Sequence, residues 1–477
     1  MPKLSLFTKI SYGIGQLGEG IKNGSFEIFL LFYYNQVLGL PGTLAGAATF
    51  IALGFDAFFD PFVGSLSDSL RSRWGRRHPF MYAGAVPFGV MFYLLWVPPS
   101  GLGELGLFLW LTAFAIGVRA AMAIYLIPHN AMGAELSSDY HERTSIGGWR
   151  IVLGFVGAFL ASLLGFGVFF KDTPDHPFGQ RNLAAYPHFA EFFGVLATAA
   201  VLWSAFGTQS RIPFLPVPAR DQEPLTFTRF GRELRDSLRS PSFRALFVGT
   251  LVFFVTRGVQ TALQLHLSVH FWELGSQEIL KVNVIGFAGL LVGVPAWGAL
   301  SRRFDKKPSF LAGVAIFSVA IVAGPVLKLA DLWPAHENEL AYLGLLGMFG
   351  FFANFGGAAA LIAATSMMAD LTDEHEFETG LRQEGIFFGA VAFSAKASSG
   401  LGHLLSGVAL DAIGFQVNAE RGAVAPEVVR HLAVIYGPAT IGVLLIGAFY
   451  LARYQLTRDR LSEIQKVLEQ RRTAISS

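Results

Sequence analysis

Asp56 and Asp60 stand four residues apart in IALGFDAFFDPFVGSLSDSL (51–70), a stretch otherwise almost entirely apolar or small. On a helix that spacing puts both carboxylates on one face, one turn apart. Two acids so close suit one of two chemistries. They supply hard oxygen ligands to a cation such as Na⁺, or they hold one proton near neutral pH because the second ionisation is disfavoured beside the first. An ionised carboxylate in hydrocarbon is costly unless paired, so neither acid is there by default. Other charges recur inside apolar stretches: Glu19, Lys22, Glu27, Arg119, Arg150, Arg257 and Lys396.

The elements that must position these residues follow from composition. The 477-residue chain is 53% hydrophobic and 15% charged, with mean hydropathy +0.49, against roughly 25% charged for a soluble domain. Apolar segments near 10–40, 43–69, 79–99, 104–136, 145–170 and 187–207 precede a polar connector at 208–242. Six more lie near 243–271, 276–301, 308–329, 339–369, 383–413 and 430–455. Each is long enough to cross a hydrocarbon core of about 30 Å as a helix. The expectation is an all-α membrane protein of twelve transmembrane helices in two six-helix bundles, residues 1–207 and 243–456. A cytoplasmic connector (208–242) joins them, and a cytoplasmic tail (457–477) follows.

Basic residues set the orientation. The loops after spans two, four, six, eight and ten carry RSRWGRRH, DYHER, the Arg-rich connector, SRRFDKK and DEHEFETGLR, whereas LGLPGT and PPSGLGE contain no Lys or Arg. The positive-inside rule then makes both termini cytoplasmic. The N-terminal MPKLSLFTKI lacks the cleavage pattern of a removable signal peptide. The absence of cysteine excludes disulfides and thiolate metal sites. A weak repeat pairs GSLSDSLRSRWGRRHPF (64–80) with GALSRRFDKKPSF (298–310), each a helix-ending glycine, a basic turn and a proline opening the next helix. Matched halves suit a transporter that rocks about a central site. An enzyme is not expected: H-E-x-x-H, G-x-S-x-G and P-loop patterns are missing. His375 in DEHEFE lacks a second zinc-ligating histidine, and His129, His266 and His270 read as interfacial.

Four stretches carry a resemblance to a known family: YGIGQLGEG, DAFFDPFVGSLSDSLRSRWGRRHPF, IPHNAMGAELSSDYHERTSIGGWR and MMADLTDEHEFETGLRQEGIFFG. They resemble the glycoside–pentoside–hexuronide:cation symporter family of the major facilitator superfamily. The resemblance implies alternating access and solute uptake driven by H⁺ or Na⁺, with no other cofactor and no metal beyond Na⁺ at Asp56 and Asp60. It makes those acids the cation site, and Arg150 and Lys396 substrate contacts. Glu19, Arg119 and Arg257 join the substrate candidates; Arg119 has the alternative of neutralising the two acids at its own depth. Asp68 with Arg73, Arg76 and Arg77 resembles the superfamily's gating loop. Glu142, Arg143, Asp370, Asp373 and Arg382 read as further cytoplasmic gating charges.

Departures from the family pattern narrow the expectation. The neutral cation ligands fall at Phe59 and Ala123, which shifts preference modestly toward H⁺. The two sugar-gripping acids fall at Gly20, beside Glu19, and at Leu126. The basic surplus then suits a uronide as well as a glycoside, since guanidinium holds carboxylate bidentately. A lysophospholipid or other amphipathic lipid is the alternative cargo, as sodium-dependent lysolipid symporters resemble the same family. The expected setting is a bacterial inner membrane, as a monomer among lipids, without nucleic acid.

Overall fold

The computed structural model describes residues 3–137, 139–215, 235, 237–380, 384–420 and 422–476. They are mostly helical. The first helices are α1 (Leu6–Ser25), α2 (Gly42–Ser69), α3 (His78–Trp96), α4 (Glu104–Glu135), α5 (Tyr140–Leu164) and α6 (Ala185–Thr208). They are followed by α7 (Pro241–His270), α8 (Ser276–Phe304), α9 (Lys306–Leu329), α10 (Glu339–Thr379) and α11 (Glu384–Ala412). The last three are α12 (Pro426–Tyr436), α13 (Pro438–Ala452) and α14 (Arg458–Ser476). Among the described residues ten helical segments are long and apolar enough to cross a membrane, with Pro426–Ala452 counted as one. α1 and α11 fall outside that set; α1 carries Lys9, Glu19 and Lys22, and α11 carries Lys396 and Asp411.

Two compact units divide the chain. One comprises Met1–Leu225, Thr261–Leu280 and His403–Val424; the other comprises Thr226–Gln260, Lys281–Gly402 and Ala425–Ser477. In the first, α1 packs on α5 and α6, α2 on α4, and α3 on α4 and α6. Lipid contributes no hydrophobic drive between helices, so close backbone approach and satisfied polar groups must hold them. Gly20 lies so near α5 that a Cβ there would overlap the Gly154 carbonyl. Beyond α1 the chain continues through π-helical turns at Phe26–Leu30 and Tyr33–Val37. The buried Tyr33 and Tyr34 hydroxyls donate to the Trp96 and Leu95 carbonyls at the end of α3, at 2.8 and 2.6 Å. Those carbonyls would otherwise be orphaned at a helix terminus.

In the second unit α9 packs against α10 and α13 around Phe253, Phe310, Phe317, Met367, Leu444 and Leu451. The tail, expected only as a charged segment, forms α14 and lies on α10. Leu461, Ile464 and Leu468 recur at helical spacing and join the same cluster, Ile464 and Leu468 being buried. Gln465 donates to Asp373 at 3.0 Å, and the Arg460 and Arg471 guanidiniums flank the Phe377 ring at 5.6 and 5.2 Å. Leu468→Ala is expected to cost about 2–4 kcal/mol, the usual range for emptying a buried leucine site; unfolding of the detergent-solubilised protein would measure it.

Candidate functional site

The aspartate face of α2 turns inward because its neighbours turn out. Phe58 and Phe62 are 65% and 58% exposed, whereas Asp56 is 4% exposed. Asp56 Oδ2 accepts a hydrogen bond from Arg119 Nη1 of α4 at 2.7 Å, in a pair buried on both sides. Asp60 lies one turn further along, half-buried, with Oδ1 closed off from solvent. Pro61 follows within the helix and has no N–H, so the Ala57 carbonyl loses its helical donor between the two acids. Phe59 stacks on Phe55 at 4.9 Å, and Ala123 is buried on α4, so both aligned neutral-ligand positions are apolar.

Of the substrate candidates, Glu19 Oε1 meets Lys22 Nζ and Asn23 Nδ2, each at 3.1 Å, within α1. Arg150 Nη1 donates to Asn130 Oδ1 at 2.7 Å, and the Tyr12 hydroxyl interacts with the same guanidinium. Arg257 Nη2 donates to Asn354 Oδ1 at 3.3 Å. Lys396 is half-buried on α11. Asp56, Asp60, Arg119, Glu19 and Arg150 belong to the first unit, Arg257 and Lys396 to the second. The two asparagines escaped the sequence reading because a neutral amide gives no charge signal. The contact at Gly20 accounts for one departure from the family, since an acid there would strike α5.

Several of the expected gating charges form local clusters. Arg77, 4% exposed, bridges Asp68 at 2.6 Å and Glu135 at 2.7 Å and donates to Ser67. Arg76 meets the same Glu135 oxygen at 2.7 Å. Arg73 instead lies over the Trp74 ring at 5.4 Å. Glu135, the hub of this cluster, was missed, although it is the acid that ends α4. In the second unit Lys306 grips both Asp370 oxygens at 2.8 and 2.6 Å. The repeat seen in the sequence is therefore physical: in each half a basic residue of the turn reaches an acid near the C-terminal end of the fourth helix, α4 or α10. Glu142 accepts from Leu4 N–H and Ser137 Oγ and faces Lys9 at 3.8 Å, while Arg143 donates to the Ser137 carbonyl. Asp373 takes Gln465. Arg382 lies outside the described residues.

The three histidines expected near the interface, His129, His266 and His270, are buried within the protein, and His270 is the last residue of α7. His129 stacks between Tyr12 (4.1 Å) and Tyr125 (5.0 Å), with Nε2 against the Tyr12 carbonyl at 2.9 Å. Among the described residues no group of three or more His, Asp or Glu side chains is arranged to hold a metal ion.

Helices long and apolar enough to cross a membrane, with charged pairs buried among them, define an integral membrane protein. The family model described as "MFS/sugar transport protein" matches residues 11–458, and the chain belongs to that family. It is 24% identical to the putative glycoside/cation symporter YagG of Escherichia coli, over 99% of this chain and 97% of that protein. It is 23% identical to the glucuronide carrier protein homolog of the same organism, over 98% and 97%. Its fold is similar to the crystal structure of a bacterial homologue of the human lysosomal transporter Spinster, captured inward-facing and unoccupied. The TM-score is 0.66 at 14% identity, covering 95% of this chain and 98% of that one.

Arg119→Ala would remove the guanidinium from the buried Asp56 carboxylate. The expected loss of stability is about 3–5 kcal/mol, most of it recovered when Asp56→Ala is added. A double-mutant cycle of unfolding in detergent measures both.

Proposed function

We propose that the protein is a cation-coupled symporter that carries a sugar-like solute, a glycoside or uronide, by alternating access. Asp56 and Asp60 hold the coupling ion, H⁺ or Na⁺, and the buried Asp56–Arg119 pair is the observation that carries the assignment. It places a permanent positive charge against the acid pair at the interior of the bundle. Arg119 then poises the cation site, while Glu19, Arg150, Arg257 and Lys396 serve the solute. The apolar Phe59 and Ala123 positions favour H⁺, because Na⁺ wants several oxygens and a proton needs one carboxylate. The Ala57 carbonyl is the oxygen that would argue the other way.

The remaining assignments extend the same reading. With α1 and α11 added to the ten apolar segments, the spans number twelve in two bundles, residues 1–207 and 243–456, joined by the cytoplasmic connector 208–242. Both termini and the tail at 457–477 lie in the cytoplasm of a bacterial cell, with the protein a monomer in the inner membrane. The relatives named for glycosides and a glucuronide support a sugar cargo, and a lipid cargo is not carried forward. Asp68, Arg76 and Arg77 with Glu135, and Asp370 with Lys306, brace the cytoplasmic helix ends.

Uptake into proteoliposomes tests this. Labelled glycosides and uronides should accumulate under an imposed H⁺ or Na⁺ gradient, and Asp60→Asn should reduce gradient-driven accumulation at least tenfold. Accumulation indifferent to both gradients and to Asp60 would sink the cation-site assignment.

A further inference from the structure

Several helices begin without a side-chain cap at the residue before their first turn, and two of these share one remedy. α2 follows Pro41, whose side chain makes no cap hydrogen bond, and α8 follows Gly275, which has no side chain. The first N–H groups of a helix need acceptors and favour negative charge. In both cases a carboxylate from a distant part of the chain supplies them. Asp411, in the last turn of α11, accepts from Gly42 N–H with Oδ1 at 2.9 Å and from Thr43 N–H with Oδ2 at 2.7 Å. Asp172, in the loop beyond α5, accepts from Ser276 N–H with Oδ2 at 2.7 Å and from Gly179 N–H with Oδ1 at 3.0 Å. Glu278 adds a local acceptor for Gly275 N–H at 2.8 Å.

The two caps are one interaction made in opposite senses. Counting along the repeat, α8 corresponds to α2 and α11 to α5. The first half lends its carboxylate to α8, and the second half lends its own to α2. Both caps lie in the compact unit that gathers residues 261–280 and 403–424 with the N-terminal half. Further contacts follow the same seam. Gln36 Nε2 donates to the Gln416 carbonyl at 3.0 Å, Arg181 to the Asn418 carbonyl at 3.1 Å, and Ser276 Oγ to Gln180. Beside Asp411 the backbones of Gly42 and Gly407 touch, and a Cβ on Gly407 would overlap the Gly42 carbonyl. By contrast, the Arg77–Glu135 and Lys306–Asp370 pairs each stay within one half of the sequence, so a cycle that parts the halves need not break them.

We propose that Asp172 and Asp411 are the outer-gate residues of the transport cycle, a reciprocal pair of helix caps that holds the extracellular side shut and is released when that side opens. The proposal rests on the alternating-access reading and on the charge pattern that puts the start of α2 outside. Exposure fits a gate that must open: Asp411 is exposed and Asp172 half-buried, so water can replace either cap as it parts. A fully buried ion pair would lock the gate, whereas a solvated cap biases it by a factor of about five.

The chain has no cysteine, so a single Thr49→Cys probe reports the gate without background. Thr49 is buried in α2, two turns in from Gly42. An impermeant maleimide added outside should label it about fivefold faster in Asp172→Ala and in Asp411→Ala. The double variant should be faster by about 25-fold, as two independent caps would give. The Asn variants keep an acceptor and should stay within about twofold of the parent. Ser276→Pro removes the N–H donor instead, at a helix position that favours proline, and with it the hydroxyl that meets Gln180, so it should label at least as fast as Asp172→Ala. Unchanged labelling in both alanine variants and in Ser276→Pro would overturn the proposal. So would Asn variants that label as fast as alanine ones, which would make net charge, not capping, the restraint. Labelling needs neither substrate nor gradient, so the gate and the symport assignment fail separately.

Discussion

Between α2 and α4, Arg119 and Asp56 meet at 2.7 Å with almost no exposure, and the membrane leaves this pair little freedom. Either charge alone would be costly in hydrocarbon, so the two helices must stay in contact at this depth. A buried ion pair is a poor source of stability, because desolvation consumes most of the attraction. Leucines would hold α2 to α4 at least as well. The charges matter for the surroundings of Asp60, a turn away on the same helix, because the pair fixes a guanidinium at that depth.

A related logic recurs across the repeat. Arg150 and Arg257 are each held by an asparagine amide, from α4 and α10 respectively, corresponding helices of the two halves. An amide orients a guanidinium without cancelling its charge. A carboxylate in the same place would have sealed the arginine into the scaffold, as Glu135 does for Arg76 and Arg77.

Charge and hydropathy made a good deal of this legible. The apolar segments, the acids on one face of α2, the basic loops and the duplicated turn were all visible, because membrane solvation forces strong patterns. What packs the histidines was less visible. His129, His266 and His270 lie near helix ends, and ring stacking and a carbonyl contact bury the first, while all three lie inside the protein. Asn130 and Asn354 gave no signal because an amide is neutral. Glu135, Asp172 and Asp411 gave none because their partners lie far along the chain or are backbone groups. The tail helix was hidden by its charge. Its apolar stripe of Leu461, Ile464 and Leu468 is narrow, and only the cluster it meets gives it meaning.

The glycine at position 20 bears on how such a transporter changes diet. Where the family resemblance places a sugar-gripping acid, α1 runs against the α5 backbone at Gly154 with no space for a side chain. Restoring the acid would first require α1 and α5 to separate, and a single substitution cannot supply that. The closeness of two backbones thus limits the side chain that position 20 can carry, before any question of what a solute would need there.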